Sequence, residues 1–160
     1  MIPIKNKTTL NLILLFSIFV LLAAYFIQYV LGHQPCNLCL IERIPYILTI
    51  IIITLILIFK KLEKVFLLLL TLIFVAASLI SFYHFGIELG FIKESLVCDL
   101  KAQTNSFTKE DLLKELKTKI ISCKDVTFKI IGLSLASINI IISLILSVIT
   151  LKLFLNYEKN

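Results

Sequence analysis

The chain has 160 residues, 59 % of them hydrophobic and 16 % charged, with a formal net charge of +6. Its mean hydropathy of +1.04 is far above what a water-soluble domain of this size carries, so a soluble globular enzyme is excluded. The surplus of lysine would suit nucleic acid, but basic residues beside membrane spans set topology and no aromatic-basic motif accompanies them; no nucleic-acid partner is expected.

Taken in chain order, the first apolar run covers residues 10–31. Lys5 and Lys7 precede it as they would a cleavable signal. The run is longer than the roughly 7–15 residues of a signal core, and no small-x-small cleavage site precedes Gly32, so it is read as a span. A short connection, 32–37, leads to the second span, 38–59. Counted from Ile44 this span is short, but it reaches full length if its helix starts near Cys36, which draws "CLIER" into it. The tight turn "KKLEK", Lys60 to Lys64, precedes a third span over 65–85, closed by His84 in "SFYHFGIELG". A long connection, 86–128, separates it from the fourth span, 129–151. Within it "TKEDLLKELKTKII" places Leu112, Leu113, Leu116, Ile120 and Ile121 at helical spacing, which predicts a short amphipathic helix on the membrane surface or on the loop itself. The fold class is therefore an all-α membrane protein: residues 1–160 form one integral-membrane domain, a four-transmembrane-helix bundle with a long extracytoplasmic loop.

The lysines of the Lys60–Lys64 turn, with Lys5, Lys7, Lys152 and Lys159, put both termini in the cytoplasm by the positive-inside rule. All four cysteines then lie on the other side, where disulfides persist, and their even number suits two pairs.

The stretch "HQPCNLCLIERIPY", His33 to Tyr46, carries the chemistry. In a helix that begins near Pro35, Cys36, Cys39 and Arg43 share one face, giving a stripe of thiol, thiol and cation. Thiols in a first helical turn beside a guanidinium are held as thiolates, which suits a disulfide that is opened and remade. Three other readings compete. A C-x-x-C can be half a zinc site, but Cys98 and Cys123 are too far apart to complete it, and no metal is expected. Both pairs could be structural staples. Arg43 could snorkel to the headgroups with Glu42 as its counter-ion, although an adjacent acid and base at a span end call for more explanation. Pro45 predicts a kink or late helix start, and His84 would lie on the same side of the membrane as Arg43, at the polar end of a pocket for a lipid-soluble ligand.

"PCNLCLIER" at the second span, a histidine closing the third, "CDL" at Cys98 and "CKDVTFKIIGLSLASIN" leading into the fourth resemble the DsbB family over nearly the whole chain. The resemblance implies an inner-membrane, multi-pass thiol:quinone oxidoreductase that reoxidises a periplasmic DsbA-like thioredoxin-fold oxidase and passes electrons to ubiquinone or menaquinone, sustaining disulfide-bond formation. It implies that Cys98 and Cys123 pair at rest, that Cys98 receives the partner's attack, and that Cys123 then attacks Cys36. Cys39 is left as the thiolate facing quinone, Arg43 and His84 contact the quinone, and Glu42 orients Arg43. The chain has no tryptophan, so wherever relatives use one Phe128 or Ile138 takes its place. Two alternatives stand beside this reading: a non-catalytic membrane scaffold with structural disulfides, and an enzyme resembling vitamin K epoxide reductase. In the latter family the loop pair precedes the C-x-x-C, whereas here Cys36 and Cys39 come first.

Overall fold

A computed structural model describes residues 4–59, 62–93, 98, 122–124, 129–130 and 132–158. The amphipathic helix expected within 108–121, and most of the loop that carries it, lie outside these residues. Helix α1 covers Ile4–Tyr29, α2 Asn37–Ile41, α3 Ile44–Ile58, α4 Glu63–Glu88 and α5 Leu135–Glu158, with a two-stranded hairpin, β1 (Lys129–Ile130) and β2 (Leu133–Ser134), before α5. Four stretches, Lys7–Tyr29, Asn37–Ile58, Glu63–Glu88 and Leu135–Tyr157, are long and apolar enough to cross a membrane. The chain is a four-helix membrane protein.

Why these residues form a bundle in lipid is visible in which side chains face which way. Leu12, Leu15, Phe19 and Leu22 of α1 and Leu79 and Phe82 of α4 point outward, where only hydrocarbon can receive them. The inward faces meet around Leu10, Ile53, Leu67, Leu70 and Phe74, with Phe74 standing edge-on to Tyr46. Small hydroxyl residues let the helices approach, and their hydroxyls turn back to their own helix. Ser17 donates to the Ile13 carbonyl at 2.8 Å, Thr49 to Pro45 at 2.8 Å and Thr150 to Leu146 at 2.9 Å, so these three buried hydroxyls are satisfied within their own helices. Helix α4 packs most extensively on α5, and α3 bridges α1 and α4.

The boundaries differ from those expected at two places. The third span runs on past Phe85 to Glu88, where Gly90, at φ 77°, closes it. The Gly90 N–H donates to Ile87 O at 2.9 Å and the Phe91 N–H to Gly86 O at 3.0 Å, a Schellman ending that needs the left-handed residue. The fourth span begins at Leu135, not 129: residues 129–134 pair as Lys129 with Ser134 and Ile130 with Leu133, turning at Gly132 with φ 81°. A glycine adopts that angle without strain, so the apolar run folds back once before the helix starts.

One buried amide ties three elements of the bundle together. Asn139 of α5 donates to Ser81 Oγ of α4 at 2.7 Å and to Glu42 Oε2 at 3.2 Å, and it accepts from the Tyr46 hydroxyl of α3. Replacing it strands all three partners. Asn139→Ala should lower the unfolding free energy of the purified protein in detergent by about 1–3 kcal/mol, measured by denaturant titration. Thr54→Val, which removes an exposed hydroxyl bonded to its own helix at Ile50, should change it by less than about 0.5 kcal/mol.

Candidate functional site

Cys36 stands just before α2 with extended backbone (φ −72°, ψ 170°), and its sulfur accepts the N–H of Cys39 at 3.3 Å. The C-x-x-C spacing therefore makes its own helix cap. It also brings the two sulfurs to 2.7 Å without a bond between them. Cys36 is buried and Cys39 half-buried.

Helix α2 ends after five residues, at Ile41, and α3 starts at Ile44 with Pro45 in its first turn. A proline has no N–H to continue the ladder and is at home in a first turn, so the bend expected at Pro45 is a local break in the hydrogen-bond ladder at Glu42 and Arg43, both of which keep helical backbone angles. The break sends these neighbours in opposite directions. Glu42 turns inward, where His84 Nδ1 meets one oxygen at 2.9 Å and Asn139 the other at 3.2 Å. Arg43 turns toward α1, donating from Nη1 to Gln28 Oε1 at 2.7 Å, with its guanidinium 5.0 Å from the centre of the Tyr25 ring. The expectation that Glu42 orients Arg43 is corrected: Gln28 and Tyr25 hold the cation, because both carboxylate oxygens are already engaged.

His84, 2 % exposed, sits on the Cys36 side of the pair. Its Nε2 lies 3.5 Å from Cys36 Sγ and 3.8 Å from the Glu88 carboxylate one turn later on α4. The hydrogen bond from the Cys39 thiol holds the Cys36 thiol well below the usual thiol range, against the opposing effect of burial and with the help of the His84 ring.

Cys98 and Cys123 form a disulfide with a Cα–Cα distance of 5.9 Å. Both half-cystines are buried in one apolar cluster with Cys36, Leu38 and Ile87, and Asn37 Nδ2 donates to the Cys98 carbonyl at 3.1 Å. All four cysteines thus meet at one end of the bundle although 62 positions separate Cys36 from Cys98.

On the other side of the pair a cavity of about 320 Å³ opens between α1, the α2–α3 break and α5. Phe16, Phe19, Ala23 and Ile138 give it apolar walls, while Cys39, Glu42 and Arg43 mark its polar end. His84 and Cys36 are not among its lining residues. The pair is therefore two-faced: Cys36 belongs to the disulfide side with His84, and Cys39 to the cavity with Arg43. The cavity thus offers apolar walls with a cation, Arg43, at one end.

A bundle of four membrane-spanning helices with a free C-x-x-C dithiol packed against a buried disulfide at one end defines a membrane protein of thiol–disulfide exchange. Residues 6–153 match the family model described as disulfide bond formation protein DsbB, and the chain belongs to that family. It is also 32 % identical over 154 residues to a protein of Rickettsia prowazekii (strain Madrid E) described as uncharacterized, covering 94 % of this chain and 89 % of the relative. No solved structure matches it.

Three polar residues at this site escaped the motif-based reading, Gln28, Ser81 and Glu88, while Asn139 was read as part of the fourth-span motif and not as a site residue. Each interrupts an apolar run, which is the available signal for a residue with a partner inside the membrane. Because the Cys36 thiol is held low, its thiolate persists through neutral pH and is lost on acidification. The alkylation rate of Cys36, followed by mass spectrometry, should be flat across neutral pH and fall only at acidic pH, with a midpoint well below that of a free thiol. His84→Gln should move that midpoint upward.

Proposed function

We propose that the protein is an inner-membrane thiol:quinone oxidoreductase that reoxidises a periplasmic DsbA-like oxidase, with both termini in the cytoplasm and the cysteines in the periplasm. The observation that carries this reading is the two-faced cysteine pair, one sulfur toward a buried disulfide and the other toward an apolar cavity. Electrons that arrive as thiols on one side can leave on the other without passing through water.

In this reading the partner's thiolate attacks Cys98, breaking the Cys98–Cys123 bond and releasing Cys123 as a thiolate. The partner's second thiol then displaces Cys98, so that the partner leaves oxidised and the loop pair reduced; Cys123 attacks an oxidised Cys36–Cys39 pair at Cys36, and Cys39 leaves as thiolate. Cys98 resolves the Cys36–Cys123 bond, which restores the loop disulfide and leaves Cys36 and Cys39 reduced. A membrane quinone, ubiquinone or menaquinone, supplies the acceptor for two electrons and two protons. Arg43, steadied by Gln28 and Tyr25, binds the acceptor's carbonyl end and stabilises negative charge at Cys39. His84, oriented by Glu42, holds the proton balance of Cys36.

The test uses the full-length protein in detergent with a reduced DsbA-like oxidase and a short-chain quinone, following quinone absorbance. Cys39→Ser and Cys98→Ser should each lower turnover at least a hundredfold, and Arg43→Met should raise the KM for quinone about tenfold. Full turnover in either cysteine variant would overturn the electron path.

A further inference from the structure

The sequence offered zinc only through Cys98 and Cys123, which the structure joins in a disulfide. It brings a different ligand set together. Cys36 Sγ, Cys39 Sγ and a ring nitrogen of His84 all lie within 4.8 Å of one another. The His84 Nδ1 atom faces the Glu42 carboxylate at 2.9 Å, which orients the ring and turns Nε2 toward Cys36. This is the carboxylate–histidine arrangement that orients imidazole ligands at metal centres.

One distance already matches a tetrahedral ion. With sulfur about 2.3 Å and imidazole nitrogen about 2.05 Å from zinc, the sulfur and nitrogen of two ligands stand about 3.6 Å apart. Cys36 Sγ and His84 Nε2 are 3.5 Å apart. A carboxylate oxygen as a further ligand belongs about 3.3–3.5 Å from the nitrogen. Glu88 Oε1 is 3.8 Å from His84 Nε2, next to the group of two sulfurs and imidazole but outside it, so its side chain has to swing inward on binding. The Glu88 side chain is only 8 % exposed, and its other oxygen has no hydrogen-bond partner among the described residues. A buried carboxylate oxygen without a donor is costly and calls for a partner. Only the sulfurs, at 2.7 Å, stand too close, and rotating the half-buried Cys39 side chain to another rotamer opens them toward the roughly 3.8 Å that two thiolate ligands need. Glu88 is the last residue of α4, followed by exposed Leu89 and Gly90, so an ion can reach the site from the end of the bundle.

We propose that the reduced Cys36–Cys39 pair, His84 and Glu88 form a redox-gated site for one zinc-class divalent cation. Binding displaces the Cys39 thiol proton, Cys36 being already a thiolate, and removes both sulfurs from exchange. Joining the sulfurs in a disulfide abolishes two of the four ligands. The ion therefore recognises only the electron-loaded state and arrests it, a regulation that goes beyond the proposed oxidoreductase cycle.

The test uses full-length protein in detergent carrying Cys98→Ser and Cys123→Ser, so that Cys36 and Cys39 are its only thiols. Reduced with a phosphine and titrated with Co²⁺, it should bind one ion per chain, with the sulfur-to-cobalt charge-transfer band and intense visible bands of a tetrahedral thiolate site, and Zn²⁺ should displace the ion stoichiometrically. His84→Ala should lower the affinity at least tenfold, and Glu88→Gln about tenfold. The same protein with its Cys36–Cys39 disulfide closed by an oxidant should lose the bands, a comparison that needs no variant to fold. Absence of the bands from the reduced protein, or unchanged binding after the disulfide is closed, would overturn the proposal. Neither quinone nor partner is present, so the result is independent of whether the chain reduces quinone.

Discussion

A carboxylate among apolar helices has to be met by donors, and Glu42 is met from two of them at once. His84 of α4 holds one oxygen and Asn139 of α5 the other. Much of the site's geometry depends on this. The histidine is aimed at Cys36 because its other nitrogen is committed to Glu42, and α3 is drawn in because the Tyr46 hydroxyl completes the Asn139 amide. In water such bonds would be exchanged freely for solvent. In a bundle surrounded by hydrocarbon there is no competing partner, so one acid specifies how three elements stand relative to one another.

The break between α2 and α3 is what makes that acid available. In a continuous helix, Glu42 and Arg43 would stand about 100° apart on one cylinder and compete for the same surroundings. Pro45 interrupts the ladder, and the two side chains bond to different helices, the acid to His84 of α4 and Asn139 of α5 and the base to Gln28 of α1, while both still touch the cavity. The same break shortens α2 to five residues and places Cys36 at its cap, so that two adjacent cysteines on one turn acquire distinct environments. Asymmetry of this kind is needed by any pair that must receive from one direction and give in another.

How much of this was legible in the sequence follows from which features are periodic. The four spans are, because lipid demands an unbroken apolar run, and they stand within a few residues of where composition places them, apart from the hairpin at 129–134. There Gly132 overrode hydropathy, which does not register backbone handedness. The C-x-x-C and its neighbourhood were legible as chemistry, since spacing alone puts both sulfurs on one turn. The partners of Glu42 and Arg43 were not. Adjacent opposite charges suggest each other, and only the path of the backbone through the break shows that Glu42 goes to His84 and Asn139 while Arg43 goes to Gln28 and Tyr25. Long-range pairing of this sort, between residues 42 and 139, has no periodicity to betray it.

The walls of the cavity carry one more implication. Phe16 and Phe19 line it and also belong to the outward face of α1, exposed by 37 % and 66 %. The cavity consequently communicates sideways with the surrounding hydrocarbon. An apolar molecule using the cavity would enter by two-dimensional diffusion from within the bilayer, and its occupancy would follow its mole fraction among the lipids. Dilution with lipid or detergent would empty the cavity even while the total amount of that molecule in the suspension stayed constant.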